Sequence, residues 1–169
     1  MTPRTPEQLA FVATALVEAR SWLGTPFVLG ASVKGVGVDC VQFGRAVGMA
    51  LDILPTDFPD FLPYPAGWLL ERNDTRYRDE LAKSMCLIWE RQPGISVRPP
   101  NDLVLPGDLL LFRVGRAPAH SAIVTAWPMV VHAWDEEQVV EESAMMNTLR
   151  ARPLLSVWRA PRLLSGGAV

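Results

Sequence analysis

Hydrophobic positions along the chain change period near its middle. In the first half they recur every three or four residues. Thr5, Pro6 and Gln8 form a capping-box pattern with proline in the first turn, and Leu9, Val12, Leu16, Ala19 and Leu23 follow at helical spacing. Gly24 and Pro26 stop the pattern, so a first helix is predicted over 5–23. A second is predicted over 39–53, with Cys40, Gly44, Val47, Gly48 and Leu51 on one side. A glycine inside a helix costs about 1 kcal/mol relative to alanine, so two on one face suggest either close approach by a sheet or simple helix packing. A third helix is predicted over 74–91, capped by Asp74 or Thr75, with Tyr77, Leu81, Met85 and Ile88 on one side. Cys86 lies beside that stripe and reads as a buried structural thiol. Between the second and third helices, Pro55, Pro59, Pro63 and Pro65 alternate with aromatic residues. Stretch 52–73 therefore reads as an ordered loop over the core with a short helix near Trp68. It either rims a groove or serves packing and partner contact.

The second half has a period of two. Pro106-Gly107-Asp108 is a turn into LLLFR. AHSAIVTA places His120, Ala122 and Val124 on one face, and VVHAW places Val130, His132 and Trp134 on one face. DEEQ reads as a turn, VVEES and SVWRA as further strands, and SGGAV as a flexible tail. The whole of 1–169 is read as one α+β domain: N-terminal helices packed on an antiparallel sheet over 108–160. The two histidines lie on neighbouring strands, on one face if the register allows.

Composition removes several functions. The formal net charge is −2, which gives no reason to expect nucleic acid. Hydrophobic residues make up 49% and charged residues 20%, yet the longest apolar runs are too short to span a bilayer. The N-terminal apolar stretch is interrupted by Glu18 and lacks a cleavage site, so no secretory signal is expected. Such a chain stays in the cytoplasm or leaves by another route, such as assembly into a phage-like particle. Two cysteines make no disulfide framework. Cys40, Cys86, His120 and His132 have the residue types for zinc but no close ligand pair, so no metal is expected. The glycines match no phosphate-cradling pattern, and no organic cofactor is implied.

The candidate chemistry starts at Gly24–Cys40, a glycine-rich loop ending in Asp39-Cys40 where a helix begins. Unpaired N–H groups and the helix dipole favour a thiolate there over a thiol. A nucleophilic cysteine needs a base, and the base an orienting partner. His120 and His132 are the two histidines of the chain.

GTPFVLGASVKGVGVDC, PGDLLLFRVGRAPAHSAIV and VVHAWDEEQVVEES, in that order, resemble the NlpC-type family of papain-like cell-wall cysteine peptidases, most nearly the branch encoded with phage tails and gene transfer agents. The resemblance runs from about Arg20 to Glu142. It implies a papain-like fold with Cys40 as nucleophile, His120 as base, His132 as orienting residue, and Asp39 in the subsite for the free amino end of a stem peptide. It further implies hydrolysis of a peptidoglycan stem peptide after the D-glutamyl γ-carboxyl. Other tail-tip or hub proteins would be partners, and the protein would act in the periplasm. Phe27 stands where many members carry tyrosine, so a hydroxyl is missing at that position. The alternatives are an amidase or acyltransferase using the same residues, or a structural tail-tip subunit without activity.

Overall fold

The computed structural model describes residues 3–64, 75–94, 98–134, 139–145 and 152–164. Helix α1, Pro6–Arg20, is closed at its start by the capping box: Gln8 N–H donates to Thr5 Oγ1 and Thr5 N–H to Gln8 Oε1. Its buried residues are Val12, Ala15 and Ala19, followed by Trp22 in the turn beyond. That stripe is rotated from the expected one. Leu9 is 56% exposed, and Leu23 lies past the helix end, 43% exposed. Small alanines let α1 sit close to the next helix, with Ala15, Ala19, Trp22, Phe43 and Val47 in one cluster. The glycine-rich loop folds into a ribbon of two short antiparallel strands, β1 (Ser32–Val33) and β2 (Gly37–Val38).

Helix α2 runs from Cys40 to Ala50, shorter than the predicted 39–53, and Asp39 is its N-cap. Helix α3 covers Arg76–Ser84 only. Met85 turns to extended backbone, and Cys86–Glu90 form strand β3 where the helix was expected to continue to 91. CLIWE mixes branched and aromatic residues that suit a pleated surface, and its pairing with a distant strand decides the outcome. Cys86 is therefore a half-buried strand residue. The expected short helix near Trp68, the DEEQ turn and the SGGAV tail lie outside the described residues.

The main sheet contains β3, β4 (Leu109–Val114), β5 (Ala117–Ala126), β6 (Met129–Trp134), β7 (Val139–Ala144) and β8 (Leu154–Arg159). Its order is β3-β8-β4-β5-β6-β7, antiparallel throughout. The segment β4 to β7 is a meander, and β8 returns to lie between β3 and β4. One face, with Leu109, Leu111, Ser121, Ile123, Val131 and Ala133, covers the helices. The other holds Leu110, Phe112, Ala122, Val124, Val130 and Trp134. The turn before β4 is locked by a buried ion pair. Arg159 Nε and Nη2 donate to the two oxygens of Asp108 at 2.7 and 2.8 Å, and Asp108 Oδ2 also accepts from Leu105 N–H.

The two glycines of α2 have different causes. A Cβ at Gly44 would lie 2.5 Å from Ser121 Oγ on β5 and 2.6 Å from the Tyr77 hydroxyl, so the sheet does approach closely there. At Gly48 it would meet the side chain of Leu54, 2.7 Å away, in the loop after the same helix. Gly44→Ala should therefore destabilise the fold by about 1–3 kcal/mol, the usual cost of overpacking. Gly48→Ala should cost less, because the Leu54 side chain can swing aside. Urea midpoints of the two variants test the order; equal midpoints would show that Ser121 and Tyr77 do not constrain α2.

Candidate active site

The start of α2 is held by one carboxylate. Asp39 Oδ1 accepts from the N–H groups of Val41 and Gln42, at 2.9 and 2.8 Å, which satisfies two of the unpaired donors of the first turn. Asp39 Oδ2 accepts from Gly30 N–H at 2.7 Å and from the Tyr64 hydroxyl at 2.8 Å. Asp39 is 1% exposed. Burial pushes its carboxyl up from the usual range, and the donors from Gln42, Gly30, Tyr64 and Val41 oppose that. The phenol of Tyr64 is pushed far up, by burial first and by Asp39 next, so it remains a donor. Tyr64 was not singled out from the sequence. It comes from the proline- and aromatic-rich stretch, whose described part straps α2: Gln42 Nε2 donates to Asp60 O and Arg45 Nε to Phe58 O. Phe27 packs half-buried against the core, and the tyrosyl hydroxyl beside Asp39 is supplied from elsewhere in the chain.

Cys40, half-buried at the head of α2, meets β5 at two places. Its Sγ donates to Ala119 O at 3.3 Å, and Ser121 Oγ donates to the Cys40 carbonyl. Ala119 and Ser121 are the chain neighbours of His120, so α2 meets β5 on either side of the expected base, whose ring lies on the other face of the sheet with Phe112 and Trp134. His120 and His132 are themselves brought together, with His120 Nε2 3.2 Å from His132 Nδ1. Both rings are buried. The register makes this possible: Ala122 pairs with His132, so the two histidines are diagonal neighbours on one face. Phe112 and Trp134 pack edge-on to His120, and Trp134 also to His132. At the outer ends of the pair, Arg152 Nη1 lies 3.4 Å from His120 Nδ1, while His132 Nε2 faces Ser143 Oγ at 3.1 Å and Glu141 Oε1 at 3.4 Å. The Arg152 guanidinium stacks on Trp134 at 4.6 Å. Burial, then His132 and Arg152, hold the His120 imidazole well below its usual range. Glu141, Ser143 and Arg152 carried no sequence signal, because only the pairing of β6 with β7 and the approach to β8 place them here.

A zinc site uniting both cysteines with the histidines is excluded by the sheet. β3, which carries Cys86, is three strand spacings from β5, about 14 Å.

The sequence matches no family profile and no curated protein. Solved structures do match. NlpC2 from Trichomonas vaginalis superposes with a TM-score of 0.60 at 18% identity, over 89% of this chain and 47% of that one. The NlpC/p60 domain of the peptidoglycan hydrolase SagA gives 0.54 at 21%, over 86% of this chain and 97% of that domain. A protein of Staphylococcus aureus described as similar to lipoprotein, NLP/P60 family, gives 0.57 at 16%, over 95% of this chain and 44% of that one. The fold is the papain-like fold of NlpC/P60 domains. The chain spans about half the length of the Trichomonas proteins it matches.

Two outcomes follow from the geometry. Iodoacetamide should modify Cys40 at least about tenfold faster than Cys86, and the difference should fall in His120→Ala; equal rates, read by mass spectrometry, would mean that Cys40 is not activated. The second concerns stability. His120 stays neutral in the fold below pH 6.5, where the unfolded chain takes up a proton, so its contribution is complete above about pH 6.5 and is lost as pH falls. Between pH 6.5 and 5.5, His120→Gln should show a shallower loss of unfolding free energy than wild type, by up to roughly 1.4 kcal/mol per pH unit. Parallel curves would place a charged imidazole inside the fold.

Proposed function

We propose that the protein is a cysteine peptidase that cleaves an amide bond of peptidoglycan stem peptides. The observation that carries this reading is the joint placement of Cys40 and the histidine pair. The cysteine opens a helix against the two chain neighbours of His120, and His120 is in contact with His132. The NlpC/P60 fold, which includes the peptidoglycan hydrolase SagA, supports the substrate class.

In the proposed reaction, Cys40 leaves the Ala119 carbonyl and gives its proton to His120. Nε2 of His120 is engaged with His132 and Nδ1 faces Arg152, so the thiol must displace the guanidinium to reach Nδ1. The sulfur attacks the amide carbonyl, with the helix start favouring negative charge. His120 then protonates the leaving amine, and water releases the acyl group. His132 orients the base, as the third member of such constellations does. A substrate amino end directed at Asp39 meets the Tyr64 hydroxyl, the donor it would replace on Oδ2. The bond after the D-glutamyl γ-carboxyl and a phage-like tail tip acting in the periplasm complete the proposal. Both rest on the sequence motifs of Gly24–Cys40 and the two histidine strands.

Purified peptidoglycan digested by wild type should yield new fragments absent with Cys40→Ser, and their masses name the bond. Fragments from neither protein, with both folded and the thiol reduced, would overturn the peptidase reading in favour of a structural subunit. An added amine appearing in the product would favour the acyltransferase instead.

A further inference from the structure

Away from Cys40 and the histidine pair, the fold forms an open cavity of about 610 Å³. Among the described residues, Arg98, Asn101 and Asp102 line one side, and Trp127 and Pro128 the other. That volume lies within the range of small-ligand sites, about 300–1,000 Å³. The first wall belongs to the segment before β4, the second to the turn between β5 and β6.

Both walls are fixed from behind. Pro99 and Val104 are buried within the first wall, and Leu103 N–H donates to Pro100 O. The Leu103 carbonyl accepts from Arg159 Nη2, which also holds Asp108. In the second wall, the Pro128 carbonyl accepts from Met145 N–H at 2.9 Å. Trp127 packs on the cluster that contains Phe112, Val130 and Trp134. Its Nε1 donates across to Asn101 Oδ1 at 3.0 Å, so one hydrogen bond joins the two walls. The cavity is therefore preformed.

The lining narrows the occupant. The guanidinium only donates, the carboxylate only accepts, and Asn101, its oxygen taken by Trp127, adds amide donors. One cation and one anion cancel, so the cavity is matched neither to a phosphate nor to an ammonium. An apolar ligand would strip water from three polar side chains and give nothing in return. A sugar suits every group. Its hydroxyl and acetamido groups donate and accept, and the C–H side of a pyranose ring packs on an indole. The cavity also has a telling place. Trp127 packs on the sheet face that holds the histidine rings, and it precedes His132 by five residues, at most about 18 Å of extended chain.

We propose that this cavity binds the glycan strand of peptidoglycan, with an N-acetylated hexosamine against Trp127 and hydrogen bonds from Arg98, Asn101 and Asp102. The role in substrate capture rests on the peptidase reading above, because a stem peptide is carried on such a sugar. The cavity holds the strand while its peptide reaches the candidate site.

Proton–nitrogen NMR with the tetramer of N-acetylglucosamine tests the site. Saturable shifts are expected at the Trp127 indole N–H and the Asn101 amide. Arg98→Ala and Asp102→Ala, both at exposed positions, should each weaken binding about three- to tenfold, and Trp127→Ala should abolish it. Circular dichroism checks folding, and the two exposed substitutions carry the test if Trp127→Ala does not fold. No saturable shift, or unchanged affinity in Arg98→Ala and Asp102→Ala, would overturn the proposal. Shifts at these groups with free stem peptide but not with the tetramer would overturn it too, in favour of a peptide groove. Cleavage separates the two readings. The ratio of rates on intact peptidoglycan and on glycan-free stem peptide should fall at least about fivefold in Asp102→Ala; an unchanged ratio would refute a part in substrate capture. If wild type cuts neither substrate yet binds the tetramer as expected, the peptidase reading falls and the glycan site stands.

Discussion

A single buried carboxylate holds the candidate site together. Asp39 joins three segments: the glycine-rich ribbon through Gly30, the first turn of α2 through Val41 and Gln42, and the strap through Tyr64. Each oxygen takes two donors. A carboxylate taken out of water is costly unless its acceptor sites are filled, and here the donors that fill them are the elements that surround Cys40. The position of the thiol is therefore a by-product of satisfying Asp39. An alanine at 39 would lose the cap and one tie each to the ribbon and the strap, which Gln42 and Arg45 still hold to α2.

The histidine pair obeys a different constraint. Both rings lie within the sheet layer, packed by Phe112 and Trp134, with little water to share their protons. In such surroundings a polar ring is tolerated only if each nitrogen has a partner. His120 and His132 serve each other, and Arg152 with Ser143 and Glu141 closes the ends. The same burial that lowers the affinity of His120 for a proton keeps it in the form that can accept one from a thiol.

The sequence carried much of this. Cys40 at a helix start and His120 and His132 on adjacent strands were legible because glycine, proline and period-two patterning mark loops and strands locally. Helix α1 was legible as a helix and its buried stripe only in part: Val12 and Ala19 are buried as expected, but Ala15 was missed, since alanines signal burial weakly, and Leu9 is exposed. The extension of α3 through Cys86 failed for a non-local reason: β3 exists because β8, some 70 residues later, pairs with it. Tyr64, Glu141, Ser143 and Arg152 were silent for the same cause. Nothing in a tyrosine among prolines, or a glutamate in VVEES, says which buried group it will face.

The place of β8 has one more consequence, and it concerns timing. The strand is the last of those described yet lies between β3 and β4, and it brings Arg159 to the buried Asp108. A chain emerging from the ribosome can pair β4 through β7 by local hairpins, but it cannot seat β3 or neutralise Asp108 until residue 159 is out. Pairings of that span form slowly. Any chemistry of the Cys40 helix and the histidine strands is thus withheld from a nascent chain until residue 159 has been made, because only then can the sheet that supports them be completed.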